Sequence, residues 1–269
     1  MSSSFGSYLK LSLFGQSHGE AIGITMDGLP AGMAIDMDAL LNEMARRAPG
    51  QSAMTTARRE PDQPEFLSGV LNGVTTGQPI CAIIRNTSQH SADYGDGVDL
   101  ARPGHADYTG HVRYFGFEDW RGGGSFSGRL TAPIVLAGAL CRQWLEGQGV
   151  EVFSHISRIG TVRDCLFADA PGADLSALRR MALPTLLPDC ARDMEEEILR
   201  AKAAQDSVGG EVECLVSGLP AGLGAPFFDS AESVLSHLMF SIPGVKAISF
   251  GDCGEVRQTI PSGWTAAKS

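Results

Sequence analysis

The span Arg102 to Arg129, RPGHADYTGHVRYFGFEDWRGGGSFSGR, packs two histidines, four arginines, three carboxylates, two serines and a Gly-Gly-Gly run into 28 residues. Val112 is its one branched aliphatic side chain. A stretch so poor in core formers and so rich in donors is not there to fill a core. Arginine forks among glycines suit an anion, because glycine lets backbone N–H groups approach the ligand closely. His105 sits in a turn of this span with Asp107 two residues on as an orienting partner, and His18 lies between glycines in GQSHGEAIG. A turn histidine can move a proton near neutral pH, so this pair is read as two acids serving different atoms. His111 and His90 fall in polar loops, whereas His155 and His237 fall in a strand and a helix and are read as structural.

The run RGGGSFSGR places Gly123, Gly124, Ser125, Phe126 and Ser127 just before a helix that starts near Thr131. A glycine nest, hydroxyls and a helix N-terminus each favour a phosphate. No Gly-Lys-Ser/Thr follows and no hydrophobic strand leads in, so neither a P-loop nor a dinucleotide fingerprint is present. Arg46, Arg47, Arg58 and Arg59 form a second basic set, while the net charge of the chain is −10. An acidic protein with two arginine-rich loops reads as built for a small anion, with solvated surface charge as the competing reading. The same net charge argues against nucleic acid or an anionic membrane surface as partner.

Those loops need elements to hold them. IDMDALLNEMARRAP reads as a helix capped by Asp36 or Asp38 and stopped before Pro49. TAPIVLAGALCRQWLEGQG, RDMEEEILRAKAAQ and SAESVLSHLMFS read as three more helices. AIGITMDG, GQPICAIIRN, VEVFSHISRIG and GEVECLVSG have the length and β-branched content of strands. Strands outside βαβ spacing favour an α+β sandwich over a doubly wound sheet. GLPAG occurs at Gly28–Gly32 and again at Gly218–Gly222, each time after a strand and before a helix, which suggests pseudo-symmetric halves. No apolar run reaches the ~18 residues needed to span a bilayer. With no signal-peptide pattern at the N-terminus, a cytoplasmic protein is expected. The six cysteines are scattered without metal spacing, so they are expected to be reduced, and no metal is expected.

Taken in order, the motifs resemble those of the chorismate synthase family. The resemblance runs through GQSHGEAIGITMDGLPAG, RRAPGQSAMTTARREPD, FLSGVLNGVTTGQPI, RPGHADYTG, RGGGSFSGRLTAPIVLAGA, DSVGGEVECLVSGLPAGLGAPFFD and SIPGVKAISFG. It implies a β-α-β sandwich of chorismate synthase type and an anti-1,4-elimination of phosphate from 5-enolpyruvylshikimate 3-phosphate, giving chorismate. It implies reduced FMN as cofactor, with NADPH as a reductant for the flavin, a homotetramer and a small anionic substrate. His18 and His105 match the family's catalytic pair, one to protonate the departing phosphate and the other to serve the flavin. Arg46, Arg47, Arg58 and Arg129 would bind substrate anions, and Gly123, Gly124, Ser125, Phe126 and Ser127 would approach the FMN. Gln16 stands where glutamate is commoner, and Ser125 stands where the family usually carries arginine or histidine.

After Phe250 the chain reads GDCGEVRQTIPSGWTAAKS. Permissible codons for Gly251 to Lys268, read from their third base, spell a stretch containing LRGSAANDPF, which matches the family's L-R-G-S-x-A-N-D-x-F. Residues 1–250 are therefore expected to form an incomplete chorismate synthase domain and 251–269 an out-of-frame tail. The C-terminal part, with its second flavin segment and catalytic aspartate, is expected to be missing. Two functional expectations follow: an active chorismate synthase, and an inactive fragment with at most weak flavin binding. An unrelated phosphate-binding module would require the ordered motifs to be accidental.

Overall fold

A computed structural model describes residues 3–50, 54, 60–87 and 101–251. The chain separates into two compact units, Met1–Ser217 and Gly218–Ser269. His90, Arg58, Arg59 and residues 252–269 lie outside the described residues.

The first unit is built on an antiparallel five-stranded sheet ordered β1-β2-β3-β7-β4, with β1 Ser4–Phe5, β2 Lys10–Gly15, β3 Ala21–Asp27, β4 Pro64–Ser68 and β7 Ile80–Arg85. Alternation explains its buried face. Ile22, Ile24 and Met26 on β3 stand opposite Ile84, Ala82 and Ile80 on β7, and all six are buried. Side chains two apart share a face of a strand, so these two segments supply one continuous apolar surface. The short hairpin β5 Val70–Leu71 and β6 Val74–Thr75 lies between β4 and β7 in the chain.

Two helices cover that surface. α1, Met37–Arg47, is capped by Asp36, whose carboxylate accepts the Ala39 N–H at 2.9 Å. It buries Leu40 and Met44, four residues apart on one stripe. α3, Thr131–Glu146, buries Leu136 and Leu140 together with Ala132, Ala137 and Ala139, whose small side chains permit close approach. It packs on α1, on β3 and β7, and on β8 of a second sheet. That sheet is ordered β10-β8-β9, from β8 Glu151–Ile159, β9 Val162–Arg163 and β10 Gly210–Ser217, and is flanked by α4 Leu175–Leu178 and α5 Pro188–Ala203. Helices between two sheets make the expected α+β sandwich.

Two helices go beyond the sequence reading, the single-turn α4 and, nearer the site, α2, Asp107–Tyr114. α2 lies inside the polar span and carries His111, which therefore sits on a helix and not in a polar loop. Its backbone closes hydrogen bonds without a side-chain cap, and only Gly110 on it is buried. The second unit holds α6, Ala231–Met239, capped by Ser230. The two GLPAG segments share their local form: one follows β3, the other β10, and both have left-handed glycines at first and last position, Gly28 and Gly32, Gly218 and Gly222.

Among the described residues no helix is long and apolar enough to cross a membrane. No group of three or more His, Cys, Asp or Glu there could hold a metal ion.

Candidate active site

His18 is buried in the turn that joins β2 to β3. The turn closes through Gly19 N–H to Gln16 O at 3.1 Å. Asn86, at the end of β7, braces it: its side-chain amide donates to Gln16 O at 3.0 Å and Gly19 O at 2.9 Å. The Ser17 N–H donates to Gly124 O at 3.2 Å, which ties the histidine turn to the glycine loop.

In that loop Gly122, Gly123 and Gly124 all have positive φ, at 60, 83 and 52°. Close approach also demands glycine here. A Cβ on Gly122 would lie 1.9 Å from His18 Nδ1, and one on Gly123 would lie 2.9 Å from His105 Nε2. The two histidines predicted from their turns therefore meet successive glycines of one loop.

His105 is oriented by a carboxylate. Its Nδ1–H donates to Asp107 Oδ1 at 2.6 Å, which leaves Nε2, the atom beside Gly123, to handle a proton. Arg102 grips the same carboxylate with Nε and Nη2, each at 2.8 Å, and adds its backbone N–H at 2.9 Å. The hydrogen bonds from the Arg102 guanidinium hold the Asp107 carboxyl well below the usual carboxylate range. Asp119, just before the glycine loop, is likewise lowered, first by hydrogen bonding from Arg121 and in smaller part by the charge of His18.

The arginine readings separate. Arg129 and Arg47 share Asp62: Arg47 Nη1 lies 2.5 Å from Oδ2, and Arg129 Nη1 pairs with Oδ1. Arg129 also donates from Nε to Asn86 Oδ1 at 3.0 Å and lies 4.0 Å from Glu60. With 3% of its side chain exposed, Arg129 is a buried brace in this structure, not an open fork for a ligand. Arg47, 18% exposed, is the member that reaches solvent. Arg46 is not brought to this cluster. Consecutive residues leave a helix about 100° apart, and Arg46 pairs instead with Glu43 at 3.0 Å.

The serines divide similarly. Ser127 Oγ accepts the Arg129 N–H at 3.3 Å and so caps the turn into α3. Phe126 packs toward α2, 6.1 Å from the Tyr114 ring. Ser125 is exposed beside the buried Gly123 and Gly124. Asp62 and Asn86 were not expected as site residues. Asn86 links the His18 turn to Arg129, and Asp62 links the two arginines, over separations of 15 to 70 residues that leave no local pattern. His155, read as structural, is fully buried, with Nδ1 3.1 Å from Asp164 and Nε2 2.7 Å from Glu213.

A sequence model described as chorismate synthase matches residues 9–263. A chorismate synthase of Phocaeicola vulgatus is 42% identical over 251 residues, 93% of this chain and 69% of that protein. One from Dehalococcoides mccartyi is 42% identical over 253 residues, covering 93% of this chain and 68% of the relative. One from Christiangramia forsetii is 44% identical over 248 residues, covering 92% and 69%. A crystal structure of chorismate synthase shares the fold, with a TM-score of 0.72 over 98% of this chain and 72% of that one, at 24% identity. With this coverage and identity, the chain belongs to the chorismate synthase family, whose members are lyases.

Proposed function

We propose that the site performs the family's anti-1,4-elimination, releasing phosphate from 5-enolpyruvylshikimate 3-phosphate to give chorismate. The C–O bond to phosphate breaks, a proton leaves the opposite face of the ring, and a further C=C forms. The observation that carries the reading is the convergence of His18 and His105 on Gly122 and Gly123.

The residues present fit reduced FMN. The glycine loop brings both histidine rings against its backbone and leaves the Ser125 hydroxyl exposed beside them, so acid groups and a free donor stand together where the cofactor would lie. Gly123, Gly124 and the exposed Ser125 would hold the cofactor, with Phe126 and Ser127 shaping the loop behind them. When bound, reduced FMN supplies electron density to an elimination that has no net redox change.

The chain's own groups have separable tasks. His18 shares the Asn86 brace with the arginine cluster, so it is assigned to protonate the departing phosphate. His105, its Nδ1–H fixed by Asp107, turns its Nε2 toward Gly123, on the side of the loop assigned to the flavin. Arg47, and by family membership Arg58, bind the substrate's anionic groups, while Arg129 positions Arg47 through Asp62. A homotetramer, a cytoplasmic site of action and NADPH as reductant for the flavin are parts of the same proposal.

The test is an anaerobic reaction of the purified protein with reduced FMN and 5-enolpyruvylshikimate 3-phosphate. Chorismate and phosphate released one for one support the elimination. Phosphate released without chorismate would replace it with simple hydrolysis.

A further inference from the structure

Away from the histidines, a recess of about 180 Å³ opens between α1, α3 and β8, and three arginines line it: Arg46, Arg142 and Arg179. Two carboxylates answer them. Glu43 pairs with Arg142 at 2.6 Å and with Arg46 at 3.0 Å, and Glu146 pairs with Arg179 at 2.8 Å. Three guanidiniums against two carboxylates leave one positive charge in excess. Arg142 Nε lies 3.3 Å from Glu146 Oε1, the oxygen that already pairs with Arg179, and in its buried position makes no hydrogen bond, so one donor of the cluster is not saturated from within. A buried polar atom without a partner calls for a water or an ion. The rest of the wall is apolar, with Phe153 and Leu178, and Arg179 stands 5.1 Å from the centre of the Phe153 ring.

We propose that this recess binds a small anion bearing a carboxylate or phosphate, at a site distinct from the histidine–glycine site. Guanidinium forks supply the charge and direction, and the Phe153–Leu178 wall favours an anion with an apolar body. The inference does not depend on the elimination chemistry. It also accounts for Arg46, which α1 turns away from Arg47.

Calorimetric titration with sodium benzoate and, separately, inorganic phosphate at fixed ionic strength tests it. The protein carries Arg47→Gln, to remove the solvent-reaching cation of the other site. The expected result is saturable binding of one equivalent, weakened at least tenfold by a further Arg46→Gln or Arg179→Gln. Arg46 is among the more exposed members, and Glu43 keeps Arg142 when it is replaced, so that variant should retain its fold. Tighter binding of benzoate assigns the site to organic carboxylates, and tighter binding of phosphate assigns it to phosphate. Saturation by neither probe, or saturation unchanged in both variants, would overturn the proposal.

Discussion

Asp62 and Arg129, 67 residues apart in the chain, form an ion pair sealed from solvent, the carboxylate fully enclosed and the guanidinium nearly so. Asp62 holds a positive φ of 47°, a conformation that aspartate tolerates better than most residues, and its second oxygen faces Arg47. Removing this carboxylate takes from two cations at the base of the site the anion they share. Breaking a buried pair by deleting one partner typically costs ~3–5 kcal/mol. Asp62→Ala should lower unfolding free energy by about that amount, as read by urea denaturation. A loss under ~1 kcal/mol, the range of an exposed pair, would show that the pair is solvated.

Asp107 offers a pH signature. Its folded pKa lies below the ordinary value, so its stabilising contribution is complete above the unfolded pKa of about 4 and drains away as pH falls through the lower folded one. The stability difference between the wild-type protein and Asp107→Asn should therefore stay flat from about pH 6 to 8 and narrow below about pH 4. A difference that grows on acidification would reverse the sign and remove Arg102 as the cause.

Gly122 should tolerate no side chain. Its left-handed backbone costs an L residue ~1–2 kcal/mol, and a Cβ there meets the ring of buried His18. Gly122→Ala should displace that ring and lower turnover by about 10²-fold, the scale of a misplaced catalytic group. Gly128→Ala is the control, since a Cβ there meets nothing within 4 Å. Equal turnover in both variants would separate His18 from the glycine loop.

Much of this fold could be read from the chain because its signals are local. Asp36 before α1, and the alternation of Ile22, Ile24 and Met26 or of Ile80, Ala82 and Ile84, mark elements by spacing alone. α2 gave no such signal, having neither a capping side chain nor an apolar stripe. β2 and the residue before it carry the alternation Leu9, Leu11 and Leu13 only as partly buried positions, a weaker form of the same mark. The histidines and glycines of the site announced themselves by composition. Asp62 and Asn86 did not, because their partners come from other elements 15 to 70 residues away. The same distance effect buried Arg129, whereas Arg46 is turned from Arg47 by the helical step between consecutive residues, which composition alone does not carry.

Cys141 on α3 should be chemically quiet. Burial pushes its thiol up to about 11, so at pH 8 only ~10⁻³ of it is thiolate, the reactive form. Iodoacetamide at pH 8 should leave Cys141 unmodified in the folded protein and label it after unfolding, as read by peptide mass spectrometry. Rapid labelling of the folded protein would mean that the α3 packing opens on the timescale of the reaction.

The most direct measurement is the rate of chorismate formation from 5-enolpyruvylshikimate 3-phosphate and reduced FMN by the wild-type protein and by His105→Ala, with thermal unfolding followed in parallel. His105 is about one-quarter exposed and its ring fills no core, so its removal should barely move the melting temperature. The expected result is a fall in turnover of ~10²–10⁴-fold at near-constant stability, the usual contribution of a positioned acid or base. Wild-type turnover in His105→Ala, or a loss that tracks unfolding alone, would contradict the assignment of the histidine–glycine site as the seat of the reaction.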